Sequence, residues 1–321
     1  MIHATEPTLD LPFAAVPQAD ADAEPQGFVV EVAKGTRIHF LDWGEPSAPL
    51  TAGPPPHVLL LHGLAQTAWT WTPVARRLNG TSHVVAMDLR GHGLSDSPTD
   101  GYDQASIVND VIAVADGSGL LEAGGPRLVI AGHGFGAIVA IWAAGTLGDQ
   151  CGGLVLVDGG WEDVARTSGM EIEEFLRGLD EPPEVMRSMA AYLADRRDFD
   201  PGTWDADQER AARSMVVEAH SKRLTSATRP HAVTASVEAM FGHDPLVALP
   251  LVAAPVVALM AADDEEGTRG VAMDAAQRAL QAAGRPPIRT ARFPHAGHNL
   301  MRYQPREVAA AILAVAGTLR P

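Results

Sequence analysis

The 321-residue chain has a single cysteine, Cys151, which excludes an intramolecular disulfide framework and a cysteine-built zinc site. Lying between a helix-like stretch and an apolar strand-like one, it reads as a small buried thiol. Positive charge is also scarce. Only 24 Lys and Arg stand against 40 Asp and Glu, a formal net charge of -16, and such a field repels phosphate backbones and anionic lipid headgroups. Neither nucleic acid nor a membrane is the expected partner. No apolar run reaches the roughly 18 residues that a membrane span needs, and no Lys or Arg precedes Lys34, so a secretory n-region is missing. A cytoplasmic location is the expectation. There is no G-x-G-x-x-G fingerprint after the first parallel strand and no P-loop, so no nucleotide cofactor is expected, and no cofactor of another kind is implied.

What is present is the composition of a folded globular protein, with 46% hydrophobic and 20% charged residues. Residues 1–26 hold Glu6, Asp10, Asp20, Asp22 and Glu24 among Pro and Ala without periodicity, which predicts a mobile acidic tail. Two β-rich runs follow, 28–33 and 36–43, separated by Lys34-Gly35, and predict a hairpin. Apolar runs of the kind buried on both faces recur at 57–61, 83–87, 127–131, 153–157 and 255–260. Between most of them lie stretches long enough for helices, notably 107–121 and 135–147. Such alternation specifies right-handed crossovers and a mostly parallel sheet, so the fold class is α/β. One segment does not alternate. Residues 161–244 show helical patterns at 171–179, 183–193 and 207–222 and no strand, which predicts a helical cap inserted into a core made of 27–160 and 245–321.

Ligands of open parallel sheets bind outside the carboxyl ends of the strands, so the residues just after each apolar run carry the functional signal. His62-Gly63-Leu64 follows the first. Asp88-Leu89-Arg90-Gly91-His92-Gly93-Leu94-Ser95 follows the second, and Gly132-His133-Gly134-Phe135-Gly136 the third. Late in the chain stands Phe293-Pro294-His295-Ala296-Gly297-His298-Asn299. In this order the motifs resemble the α/β-hydrolase superfamily, in its capped esterase, lactonase and epoxide-hydrolase-like branch, over about residues 28 to 318.

The resemblance implies an α/β-hydrolase fold, a mostly parallel sheet flanked by helices with a cap, and a nucleophile elbow G-x-S-x-G. Here the elbow reads G-H-G-F-G, and the nucleophile position is Gly134. Glycine cannot attack a substrate, so the covalent route is closed, while the strained turn itself suits glycine better than serine. By resemblance the oxyanion hole comes from the backbone amides of Leu64 and Phe135, the general base is His298, and the orienting acid is Asp264 in Ala261-Ala262-Asp263-Asp264, with Asp263 as the alternative. Pocket candidates are His62, His133 and Trp69. Their plainer readings are a packed loop histidine, a side chain turned away from the elbow, and an aromatic in the core. Asp88, Arg90, His92 and Ser95 are expected to form a hydrogen-bonded turn. His295 and His298 have H-x-x-H spacing without a third ligand, so no metal site is expected.

The expected partner is a small-molecule substrate or ligand; the sequence carries no signal for oligomeric state. The resemblance implies a hydrolase acting on a small uncharged ester, lactone or related acyl compound, with His298 activating water or moving a proton. The alternative is a catalytically silent ligand-binding protein, or a serine hydrolase inactivated by a Ser-to-Gly change.

Overall fold

A computed structural model describes residues 16–46, 55–220, 223–261 and 267–317. In chain order, β1 (Gln26–Glu31) and β2 (Arg37–Asp42) are followed by β3 (His57–Leu61), α1 (Thr72–Leu78), β4 (His83–Met87), α2 (Gln104–Gly117), β5 (Leu128–His133), α3 (Phe135–Leu147) and β6 (Cys151–Val157). The next segment carries α4 (Val164–Ser168), α5 (Ile172–Gly178), α6 (Met189–Phe199), α7 (Ala206–Ser214), β7 (Val216–Glu218), β8 (Leu224–Ser226), α8 (Pro230–Phe241) and α9 (Pro245–Ala248). The chain then returns to the sheet through β9 (Val256–Met260), α10 (Thr268–Ala282), β10 (Arg289–Arg292), α11 (Leu300–Tyr303) and α12 (Pro305–Gly317).

Eight strands form one sheet in the order β1-β2-β4-β3-β5-β6-β9-β10. β1 and β2 are antiparallel, and every pairing from β4 to β10 is parallel. The apolar runs explain this arrangement. Because successive side chains point to opposite faces, a strand buried on both must be apolar throughout. Val58 and Leu60 accordingly join one core with Val84, Ala86, Val129, Ala131, Val155 and Val157, packed against α1 and α12. Leu59 and Leu61 join the other with Val85, Met87, Leu128, Ile130, Leu154 and Leu156, against α2, α3 and α10. α3 lies between the sheet and other helices. Its sequence FGAIVAIWAAGTL is apolar on nearly every face and almost wholly buried.

Three expectations need correction. The segment between β6 and β9 is not purely helical: the helix expected over 207–222 ends at Ser214, and β7 pairs antiparallel with β8. The β-branched Val216 and Val217 favour that pairing, and Val216 and Leu224 close a small core with Tyr192 and Ala212. The helix expected over 183–193 instead starts at Met189, where the Ser188 hydroxyl caps it by accepting from the Ala191 amide. Of the tail expected to be mobile, residues 1–15 lie outside the described residues, while the part from 16 onward is tied down. The Asp20 amide donates to the Arg76 carbonyl, and Glu24 pairs with Arg76 on α1 and with Arg210 on α7. No helix among the described residues is long and apolar enough to cross a membrane.

Candidate active site

The elbow lies at the carboxyl end of β5. Gly134 adopts φ 52°, ψ −116° between the strand and the first turn of α3, a conformation that is costly for residues with a Cβ. Gly132 and Gly136 let strand and helix close up, since a Cβ on Gly136 would meet the carbonyl oxygens of Leu61 and His62 at 2.3 and 2.4 Å. A Cβ on Gly134 would by contrast lie 3.4 Å from Nε2 of His298, an ordinary contact. As the first residue of α3, Phe135 has an amide with no partner inside the helix.

His298 is held by a carboxylate at the end of β6. Its Nδ1 donates to Oδ2 of Asp158 at 2.6 Å, which leaves Nε2 facing the elbow as an acceptor. Asp158 is buried, and its other oxygen accepts from the Ala261 amide at 2.8 Å and pairs with Arg269 at 2.8 Å. Burial alone would raise its pKa. The His298 hydrogen bond and the Arg269 charge outweigh burial and hold the carboxyl below the usual range. Arg269 also pairs with Glu162 and lies over the Trp161 ring. Burial pushes the Glu162 carboxyl up, against the pull of Arg269. Among the described residues, non-glycine positive φ occurs at Lys34, Ala65 and Asp158, the last two beside this site.

A cavity of about 870 Å³ opens in front of Gly134 and His298. Phe135, Ile138, Phe175, Leu179 and Met240 supply apolar wall, and Glu162 and Arg269 a polar edge. The His298 side chain is 54% exposed, so its imidazole is within reach of a ligand. A second cavity of about 700 Å³ shares Leu64, Gln66, Leu179 and Asn299 with it.

The family model for the alpha/beta hydrolase family matches residues 58–311. The chain belongs to that family. Curated relatives include 2-(acetamidomethylene)succinate hydrolase of Mesorhizobium japonicum, 27% identical over 45% of this chain and 50% of that protein. Epoxide hydrolase A of Mycobacterium tuberculosis is 32% identical over 34% of this chain and 31% of its own length. The chain spans half or less of the length of these curated relatives. Among solved structures, E-2-(acetamidomethylene)succinate hydrolase superposes with a TM-score of 0.70 at 19% identity, covering 90% of this chain and 97% of that one. The thioesterase domain from the curacin biosynthetic pathway gives 0.65 at 19%, covering 90% and 99%. At these identities the likeness is one of fold.

Within that fold the structure brings Gly134, Phe135, His133 and His298 to one cavity, with Leu64 at its edge. Asp264 and Asp263 lie outside the described residues; the carboxylate on Nδ1 of His298 is Asp158. His62 and Trp69 do not line the cavity. His62 is fully buried, donating from Nδ1 to the Gly63 carbonyl and accepting the Leu89 amide on Nε2, and burial lowers its pKa. Trp69 stacks against Arg210. His133 is buried against His298, donating from Nε2 to the His298 carbonyl at 3.1 Å, and burial together with the nearby His298 holds its pKa well below the ordinary value. Asp88 anchors the expected turn, accepting from the amides of Ala68 and Leu94 and pairing with His39.

Sequence reasoning missed Asp158, Glu162, Arg269, Gln66 and Asn299. Asp158 had a signal: it directly follows the apolar run ending at Val157 and precedes two glycines. Gln66 accepts the Gly63 amide and donates to Asn299, joining the His62-Gly63-Leu64 loop to the His298 loop. Asn299 stands in the late motif beside His298 without a role of its own there, and no motif marks Gln66.

Proposed function

We propose that the chain is a hydrolase of a small uncharged ester, lactone or related acyl compound, in which His298, oriented by Asp158, activates water directly. The carrying observation is the arrangement at Gly134. The absence of a side chain leaves the place in front of Nε2 free, and the hydrogen bond from His298 to Asp158 supports a role for the imidazole as base. In this reading Nε2 takes a proton from water as the water oxygen attacks the acyl carbon, and the developing oxyanion is bound by the amides of Leu64 and Phe135. The imidazolium then hands the proton to the leaving group. The apolar wall suits an acyl chain, and Arg269, already facing Asp158 and Glu162, is poorly placed to receive a substrate carboxylate.

The test is a panel of short esters and lactones with the native protein and His298→Ala. Turnover without an acyl-enzyme burst, lowered at least ~100-fold in the variant, is the expected result. Turnover unchanged by the substitution refutes the mechanism. Ligand binding without turnover in the native protein refutes the hydrolase reading and favours the silent binder that Gly134 also suits.

A further inference from the structure

At the end of the sheet opposite the elbow, His57 and His83 open the neighbouring strands β3 and β4 and are register partners. Their rings meet edge to face at 5.6 Å, and their side chains are only 6% and 9% exposed. Glu45, just beyond β2, reaches both, with Oε1 3.7 Å from Nε2 of His57 and 3.3 Å from Nδ1 of His83. These three atoms lie within 4.8 Å of one another.

The other ring nitrogens are engaged in a way that orients the site. Nδ1 of His57 donates to the Leu120 carbonyl at 2.9 Å, which leaves a lone pair on Nε2. Nε2 of His83 donates to Oδ1 of Asp42 at 3.0 Å, which directs Nδ1 to the same point. A backbone carbonyl and a carboxylate behind two imidazoles are the partners that set tautomer and ring angle in metal-bound histidines. Tetrahedral zinc with bonds near 2.0–2.1 Å separates its ligand atoms by about 3.3 Å, close to two of the three spacings here.

We infer that Glu45, His57 and His83 form a binding site for a first-row divalent cation, with Zn²⁺ the ion that two imidazoles and one carboxylate fit best. The nitrogen donors disfavour Mg²⁺ and Ca²⁺, which take oxygen. Glu45 is 57% exposed, so a solvent molecule can complete the coordination. Binding ties the exit of β2 to the starts of β3 and β4 and makes the ion a clip on the sheet.

The experiment titrates Zn²⁺ alone into the full chain against a chromophoric chelator at pH 7.5, with Co²⁺ absorption as a second readout. One ion per chain and the intense visible bands of tetrahedral cobalt are expected. Glu45→Gln, at an exposed position that leaves the fold intact, weakens Zn²⁺ binding by about 100-fold or more, beyond the ~10–100-fold typical of outer-shell changes. His83→Gln does the same. Absence of saturable one-to-one binding overturns the inference. So does equal affinity in Glu45→Gln, which places the ion elsewhere, such as at His295 and His298.

Discussion

Gly134→Ser tests whether the site lacks only its nucleophile. The added Cβ meets Nε2 of His298 at 3.4 Å, Cε1 at 3.7 Å and Cα of Gly63 at 3.9 Å, so nothing must move to admit it. The Oγ, one bond further out, then falls within hydrogen-bonding reach of Nε2. The cost lies in the backbone: φ of 52° with ψ of −116° is strained for any residue with a Cβ, at about 1–3 kcal/mol. Thermal unfolding should therefore move down by a few degrees. Against that stands the chemistry. Deleting a triad serine elsewhere lowers kcat by about 2 × 10⁶, so, on the proposed mechanism, placing one beside the hydrogen-bonded His298 and Asp158 should raise kcat/KM by at least about 10²-fold, or about 2.7 kcal/mol of barrier. Stopped-flow hydrolysis of a nitrophenyl ester reads both rate and burst. The expected trace has a burst of one product per active site in the variant and none in the native protein. A folded variant with neither burst nor rate gain refutes the reasoning, because the dyad or the oxyanion amides would then be incompetent.

Asp158→Asn should lower turnover of the native protein by about 10³–10⁴-fold, as loss of the orienting acid does in serine proteases, whereas Asp264→Asn should leave it within about 3-fold; the reverse ranking in steady-state assays would return the acid to Asp264. His92 is fully buried, and desolvation, helped by the neighbouring His62, pushes its pKa down to about 3. Between about pH 6.5 and 3 the unfolded chain binds a proton that the folded chain refuses, so this stability is fully present above about 6.5 and falls by about 1.4 kcal/mol per pH unit below it. Urea midpoints measured from pH 7 to 4 check this, and a flat profile would contradict it.

The central sheet was legible because burial on both faces leaves a direct mark: five apolar runs became β3, β4, β5, β6 and β9 with shifts of at most two residues at their ends. Helix α3 was read without error for a similar reason, being apolar all round between a turn of glycines and Gly148. The segment between β6 and β9 was harder. Its helices bury little, so propensity and caps compete evenly, and the short pairing of Val216–Glu218 with Leu224–Ser226 depends on contacts distant in sequence. At the site, local motifs marked Gly134 and His298. Asp158 was passed over because the resemblance drew the acid to the Ala262-Asp263-Asp264 stretch after β9, which lies outside the described residues. Glu45, His57 and His83 were hidden altogether, since strand register alone brings them together.

The loop that carries Asp158 also touches the elbow. The Gly134 amide donates to the Val157 carbonyl, and a Cβ on Gly159 would come within 2.9 Å of the Gly134 Cα. These contacts and the Asp158–His298 hydrogen bond tie Asp158, His298 and Gly134 together, so their alignment depends on the bare backbone at Gly159, which lines the same cavity. A methyl group at position 159 would act as a wedge, levering position 134 out of line with His298. Any attempt to install a nucleophile here must thus keep Gly159 bare, and a library that randomised both positions would recover active pairs only where the second glycine survived.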